Sequence, residues 1–220
     1  MLWFKAWAES RTRFAIGLGL VIAATAFIIG WQDGRALFAG VHRTLFTLLA
    51  FVLGMGGLLR ESEVGTSAFT LSLPVSRTRL TIVRTVVGLA ELAALAAAPV
   101  VVIAVAAIGG RHAMPVGQAV TLALRWIAGG SALFGLGFFA SATVPGEYNG
   151  FVAAVAVHFG HTVTTQFIRL AKPPLMPYLF TIQEIMSGLR PALAVPTAGA
   201  VAIAVCLIAA ASAWTDRKDF

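Results

Sequence analysis

RESEVGTSAFTLSLPVSRTRLTIVR, residues 60–84, is the longest segment between apolar runs that carries charges of both signs. Apolar sequence of membrane-span length flanks it on either side, so the stretch has to face water. The composition agrees: the 220-residue chain is 59% hydrophobic and only 11% charged, with a mean hydropathy of +0.88. Soluble domains are about 45–50% apolar and about 25% charged. A helical span takes roughly 20 apolar residues, which leaves room for about six. The chain reads as one polytopic membrane domain, 1–220, without a soluble domain.

Outward from that loop, the expected spans are 14–31 and 37–59 before it, then 84–108, 118–144, 151–167 and 193–214 after it. Residues 60–83 form the polar connection. Within it, Ser62–Leu73 can form a short helix that ends before Pro74, because proline disfavours helix at the residue it follows. Ser76 occupies an N-cap position for the next helix. Residues 2–13 place Trp3 and Trp7 one turn apart, opposite Lys5 and Glu9, with Arg11 and Arg13 following. That pattern suits a helix lying in the headgroup layer. No A-x-A site follows the first apolar run, so a cleavable signal peptide is not expected. His42 and Arg43 are expected near the outer end of the second span, from where Arg43 can snorkel. The stretch 169–192, with Lys172-Pro173-Pro174, Pro177 and Pro191, is too broken to span.

The order Glu63-x-Gly65-Thr66 followed by Leu73-Pro74-Val75-Ser76-Arg77 resembles the cytoplasmic loop of ABC-2-type ABC transporter permeases, where such a pattern follows the second span. The resemblance covers about 25 residues in motif and the whole chain in layout. It implies an all-α membrane protein of six transmembrane helices, with an N-terminal interfacial elbow helix and a short cytoplasmic coupling helix. In that family the loop docks on a separate ATPase subunit. Glu61, Glu63, Gly65, Thr66, Pro74, Ser76 and Arg77 are therefore the expected coupling residues. The two glutamates would meet basic side chains, Gly65 would allow close approach, and Arg77 with Arg79 would hold headgroups. ATP would be bound by that partner and not by this chain. The resemblance further implies export across the cytoplasmic (inner) membrane with both termini cytoplasmic. Short helices dipping into the membrane edge are implied between the last two spans. Six spans are half of the usual two-halved pathway, so a second permease copy or a paralogue is expected. The family is sequence-diverse, and no substrate carries over.

Charge gives the orientation little weight. Nine Lys and Arg (5, 11, 13, 60, 77, 79, 84, 217, 218) fall on the expected inner side and seven (35, 43, 111, 125, 169, 172, 190) on the outer. The net charge of +7 does not point to nucleic acid, because the basic residues are scattered and accompany no recognition motif. Anionic headgroups are the expected counterpart, at about 1 kcal/mol per juxtamembrane cation.

Two ionisable groups lie inside expected spans, Glu91 and Arg125. A mid-membrane charge costs about 2.5–3.5 kcal/mol on insertion scales, so each should face protein or a water-filled path. Counting about 1.5 Å per residue puts them at different depths, too far apart for a direct pair. Each is either a locally satisfied polar group or part of a substrate path. His158 and His161, at i and i+3, share a helix face but lack the further ligands a metal needs. Cys206, the single cysteine, reads as packing. There is no G-x-x-x-x-G-K-[ST] loop and no H-E-x-x-H, so P-loop ATP hydrolysis is not expected here and the chain reads as a non-enzyme. Two other classes stay open. One is an intramembrane enzyme built on Glu61, Glu63, His158 and His161; the other is a non-transporting membrane scaffold or regulator.

Overall fold

A computed structural model describes residues 2–29, 34–55, 76–110, 115–146, 148–167 and 194–217. Every element among them is an α-helix: α1 (Leu2–Ile29), α2 (Gly34–Gly54), α3 (Arg77–Ile108), α4 (Val116–Thr143), α5 (Asn149–Phe167) and α6 (Ala194–Arg217). Four of them, α1, α3, α4 and α6, are long and apolar enough to cross a membrane. The apolar part of α2, Gly40–Gly54, is shorter.

Contacts along the helices fix their directions. Thr25 toward the end of α1 meets His42 of α2, and Arg13 toward the start of α1 meets Met55 just past the end of α2, so these two run antiparallel. Glu9 and Ser10 of α1 meet Arg84 and Glu91 of α3, which makes α1 and α3 parallel. Phe46 and Phe51 of α2 lie against Gly130 and Gly137 of α4 in the same order. The start of α5 backs onto the end of α4 at Gly150 and Ser141, and the start of α3 meets the end of α6. The bundle therefore alternates direction, and α1 begins at the end where α6 stops.

Helix α4 is the centre. Of its apolar stretch 67% is buried, against 17–33% for α1, α3 and α6. Its small residues make this possible. A Cβ added at Gly137 would lie 2.9 Å from the Phe51 carbonyl oxygen, and one at Gly54 would lie 2.5 Å from that of Phe134. At this crossing α2 and α4 touch backbone to backbone, the close approach that small residues give membrane helices. Ser131, half-buried on the same helix, donates its hydroxyl to Ala128 O at 2.7 Å. Around α4 the core is aromatic and aliphatic, with Phe46, Phe51, Leu92, Leu95, Trp126, Leu133 and Phe134 all buried.

Two expectations change. Residues 2–13 and the first span are one unbroken helix, with no separate elbow: nothing in residues 8–16 breaks a helix, and the Ser10 hydroxyl lies 3.1 Å from the carbonyl of Ala6 in its own helix. The third helix starts at Arg77, as the N-cap position of Ser76 predicts: Ser76 accepts a hydrogen bond from Arg79 N at 3.2 Å, and the span expected from Arg84 lies within this helix. The second ends at Gly54 rather than at 59. The stretch expected to form the coupling helix, with Glu61, Glu63, Gly65, Thr66 and Pro74, lies outside the described residues, as do residues 168–193.

Candidate functional site

The residues that carry polar chemistry fall at three levels of the bundle. The first is the end at which the 56–75 connection is attached. There Glu9 of α1 sits between Lys5 (3.6 Å) and Arg84 of α3 (2.6 Å). Arg77 Nη1 donates to Thr215 O at 3.3 Å, and Thr78 Oγ1 donates to Asp216 Oδ2 at 3.2 Å. The guanidinium thus lies against the last turn of α6, where carbonyl oxygens gather negative partial charge. Arg13 Nη1 donates to Met55 O, 3.4 Å away, just where the chain leaves α2. These side chains are partly solvated, and each pair is worth about 1 kcal/mol or less. Together they tie α1, α3 and α6 to both ends of the connection. Of the expected coupling residues, Ser76 and Arg77 are thereby located: Ser76 is the helix cap, and Arg77 turns onto α6.

The second level is Glu91, 3% exposed. It accepts a hydrogen bond from Ser10 Oγ of α1 at 2.5 Å, while its other oxygen, Oε2, has no hydrogen-bond partner among the described residues. Ser10 Oγ also lies 3.1 Å from Ala6 O and 3.3 Å from Trp7 O. A hydroxyl has one proton to give, so the serine serves either Glu91 or its own helix. The contact can exist in two hydrogen-bond arrangements without moving a helix.

The third level was not expected. His42 is 1% exposed, inside the bundle. Its Nε2 is 2.8 Å from Thr25 Oγ1, and its ring lies 6.0 Å from that of Trp126, which in turn stacks on Phe46 at 5.1 Å. Arg125, 3% exposed, is the neighbour of Trp126 in α4. Glu91 and Arg125 form no ion pair with each other, in keeping with their expected depths. Thr25 and His42 interrupt apolar runs, and that interruption is the signal that marks them in the sequence.

His158 is half-buried, its ring 5.7 Å from Phe51, and His161 on the same face is exposed. No group of three metal-ligating side chains occurs among the described residues. Arg43 is not at the end of its helix. Because α2 starts at Gly34 and stops at Gly54, Arg43 is its tenth residue of 21, and the side chain is exposed on the bundle surface.

No protein-family model and no curated protein matches the chain. Function is therefore argued from these residues and from the loop motif.

Proposed function

We propose that this chain is the membrane-spanning permease subunit of an ABC-2-type transporter. In this reading it forms an export path with a second permease copy or paralogue, and a separate ATPase drives it. The observation that carries the reading is the E-x-G-T … L-P-V-S-R order of the 60–77 segment. Its attachment supports a transmitting role. The connection leaves at Met55, held by Arg13 of α1, and returns at Ser76–Arg77, held by the last turn of α6. A push on a loop anchored in this way is felt by α1, α2, α3 and α6 at once. Membrane character is supported by the four apolar helices. The cytoplasmic membrane, six crossings and inward-facing termini complete the reading.

The test is capture of the ATPase by the correctly inserted chain. Replacing Glu61 and Glu63 together with Lys reverses two charges where like charges cost several kcal/mol. Because each 1.4 kcal/mol is tenfold, capture should fall by about two orders of magnitude or more, with insertion unchanged. Full capture and full coupled transport by this variant would remove the loop from the interface.

A further inference from the structure

The seam between α1 and α3 encloses a carboxyl group and a hydroxyl whose donors and acceptors balance in one protonation state only. Glu91 is 3% exposed. Its Oε1 lies 2.5 Å from Ser10 Oγ, and its Oε2 is buried with no hydrogen-bond partner among the described residues. Ser10 Oγ also lies 3.1 Å from Ala6 O and 3.3 Å from Trp7 O of its own helix. All these atoms are oxygens, so the number of protons in the cluster decides which of them is satisfied.

As a carboxylate, Glu91 only accepts, at about four lone-pair sites, and the serine has one proton to give. Given to Oε1, that proton leaves Oε2 unsatisfied, and an enclosed charge short of donors is costly. Water entering the seam would supply what is missing. One added proton does the same work without water. The acid Oε1–H donates to Ser10 Oγ, and the serine hydroxyl turns to Ala6 O, 3.1 Å away. Both O–H groups then have acceptors, the uncharged Oε2 is far cheaper to bury, and no helix moves.

The charged groups on the surrounding helices stand at other levels or in other contacts. On α1, Glu9 pairs with Lys5 and Arg84, Arg13 donates to Met55 O, and Arg11 is exposed. On α3, Arg84 precedes Glu91 by seven residues, about 10 Å along the helix, and Arg77 and Arg79 lie nearer the helix start. Leu92 meets α4 at Gly130. Arg125, the one titratable residue of α4, is five residues from that point, about 8 Å along the axis. Phe46 of α2 meets the same glycine; His42, one turn away, turns to Thr25, and Arg43 is exposed. On α6, Cys206 is exposed, Asp216 accepts from Thr78, and Arg217 ends the helix.

We propose that Ser10 and Glu91 form a proton-binding site whose occupancy decides whether the α1–α3 seam is dry. Loaded, the site closes on itself; emptied, it draws water between the two helices. The proton comes from water and forms an O–H bond on Glu91 Oε1, while the serine keeps its own proton and redirects it from Glu91 to Ala6 O. The bundle thereby has a proton-linked opening beside the end at which the 56–75 connection is attached. The inference rests on neither the ATPase nor the export reading.

The experiment is a pH titration of the full chain in phosphatidylcholine nanodiscs, without nucleotide or partner. One readout is the infrared C=O band of a protonated carboxyl, taken as wild type minus Glu91→Gln. The other is amide-exchange protection of α1 around Ser10, corrected for the intrinsic pH dependence of exchange. In the wild type the acid band should vanish as pH rises, and protection should fall with the same midpoint by at least about tenfold, equivalent to 1.4 kcal/mol. Glu91→Gln, whose amide donates to Ser10 as the acid does, should stay protected throughout. Ser10→Thr should retain the coupled transition, and Ser10→Ala should be weakly protected at every pH, because the acid has lost its acceptor. Absence of the acid band wherever the bundle is folded, as a cation held against Glu91 would cause, overturns the site. So does protection that is independent of pH in the wild type, or that falls equally in Glu91→Gln. No partner is present, so failure here leaves loop docking untouched, and failed docking leaves this site standing.

Discussion

Glu91 is where charge, burial and a helix contact coincide. Ser10 satisfies one carboxyl oxygen, and the other has no hydrogen-bond partner among the described residues. Glu91→Gln keeps the shape and removes the possibility of a buried charge, which is the costlier species to enclose. Its melting temperature in detergent should therefore equal or exceed that of the wild type, with insertion unchanged. Ser10→Ala should cost about 1–3 kcal/mol, because it takes the serine donor away from a buried acceptor. If Glu91 gates or lines a path, Glu91→Gln also changes transport; unchanged transport would reduce the residue to a structural contact. The burial of Glu91 and Arg125 was legible in the sequence because an ionisable group in an apolar run has to hide. The depth of His42 was not. In a span both faces are apolar, so only polar and small residues mark the inward side. One histidine eight residues into a helix does not say how far the helix extends beyond it.

At the scale of elements, the small residues of α4 decide the packing. Gly137 and Gly54 meet neighbouring backbone rather than side-chain ends, so nothing can rotate away from an added methyl group. Gly54→Val and Gly137→Val should each destabilise the bundle by about 1–3 kcal/mol, the usual range for overpacking. Gly19→Val is the control, since a Cβ there meets nothing within 4 Å, and it should melt with the wild type. Equal melting of all three would mean that the α2–α4 crossing has room for a side chain at these glycines. The helices themselves were legible: six apolar runs became six helices, and Ser76 caps the third as its position suggests. The break between elbow and first span was not. Trp3, Trp7 and the basic residues mark an interfacial composition, but composition does not bend a backbone, and residues 8–16 contain no proline. The unbroken α1 is about 42 Å long and α3 about 48 Å, against a hydrocarbon core of about 30 Å. Their excess carries Lys5, Glu9, Arg77 and Arg84 at the same end.

For the whole molecule, the question is how many times the chain crosses. Length and apolarity alone admit four helices; the proposed permease has six. His42, the ninth residue of α2, meets Thr25 of α1, and Met55 just past the end of α2 meets Arg13. Helix α2 therefore runs antiparallel beside residues 13–25 of α1. Helix α5 starts beside the end of α4, whereas α6 ends beside the start of α3. The chain has to be carried back between them, and α5, about 28 Å long, has the length to do it. The six crossings proposed for the chain would put its end and the α3–α4 turn on opposite sides of the membrane. Reporter fusions after residue 112 and after residue 220 should accordingly give opposite readings, with the 220 fusion active in the cytoplasm. That orientation is the one the proposed permease implies; Lys5, Arg11, Arg13, Arg77, Arg79, Arg84 and Arg217 stand at the end where α1 begins, which agrees with it but, at nine cations against seven over the whole chain, adds little under the positive-inside rule. A fusion after residue 55 should agree with the one at 220, because Met55 is tied to Arg13 on α1. If 55 and 220 report different sides, the connection that carries the transporter motif cannot share a compartment with the termini. A cytoplasmic ATPase would then have no access to it.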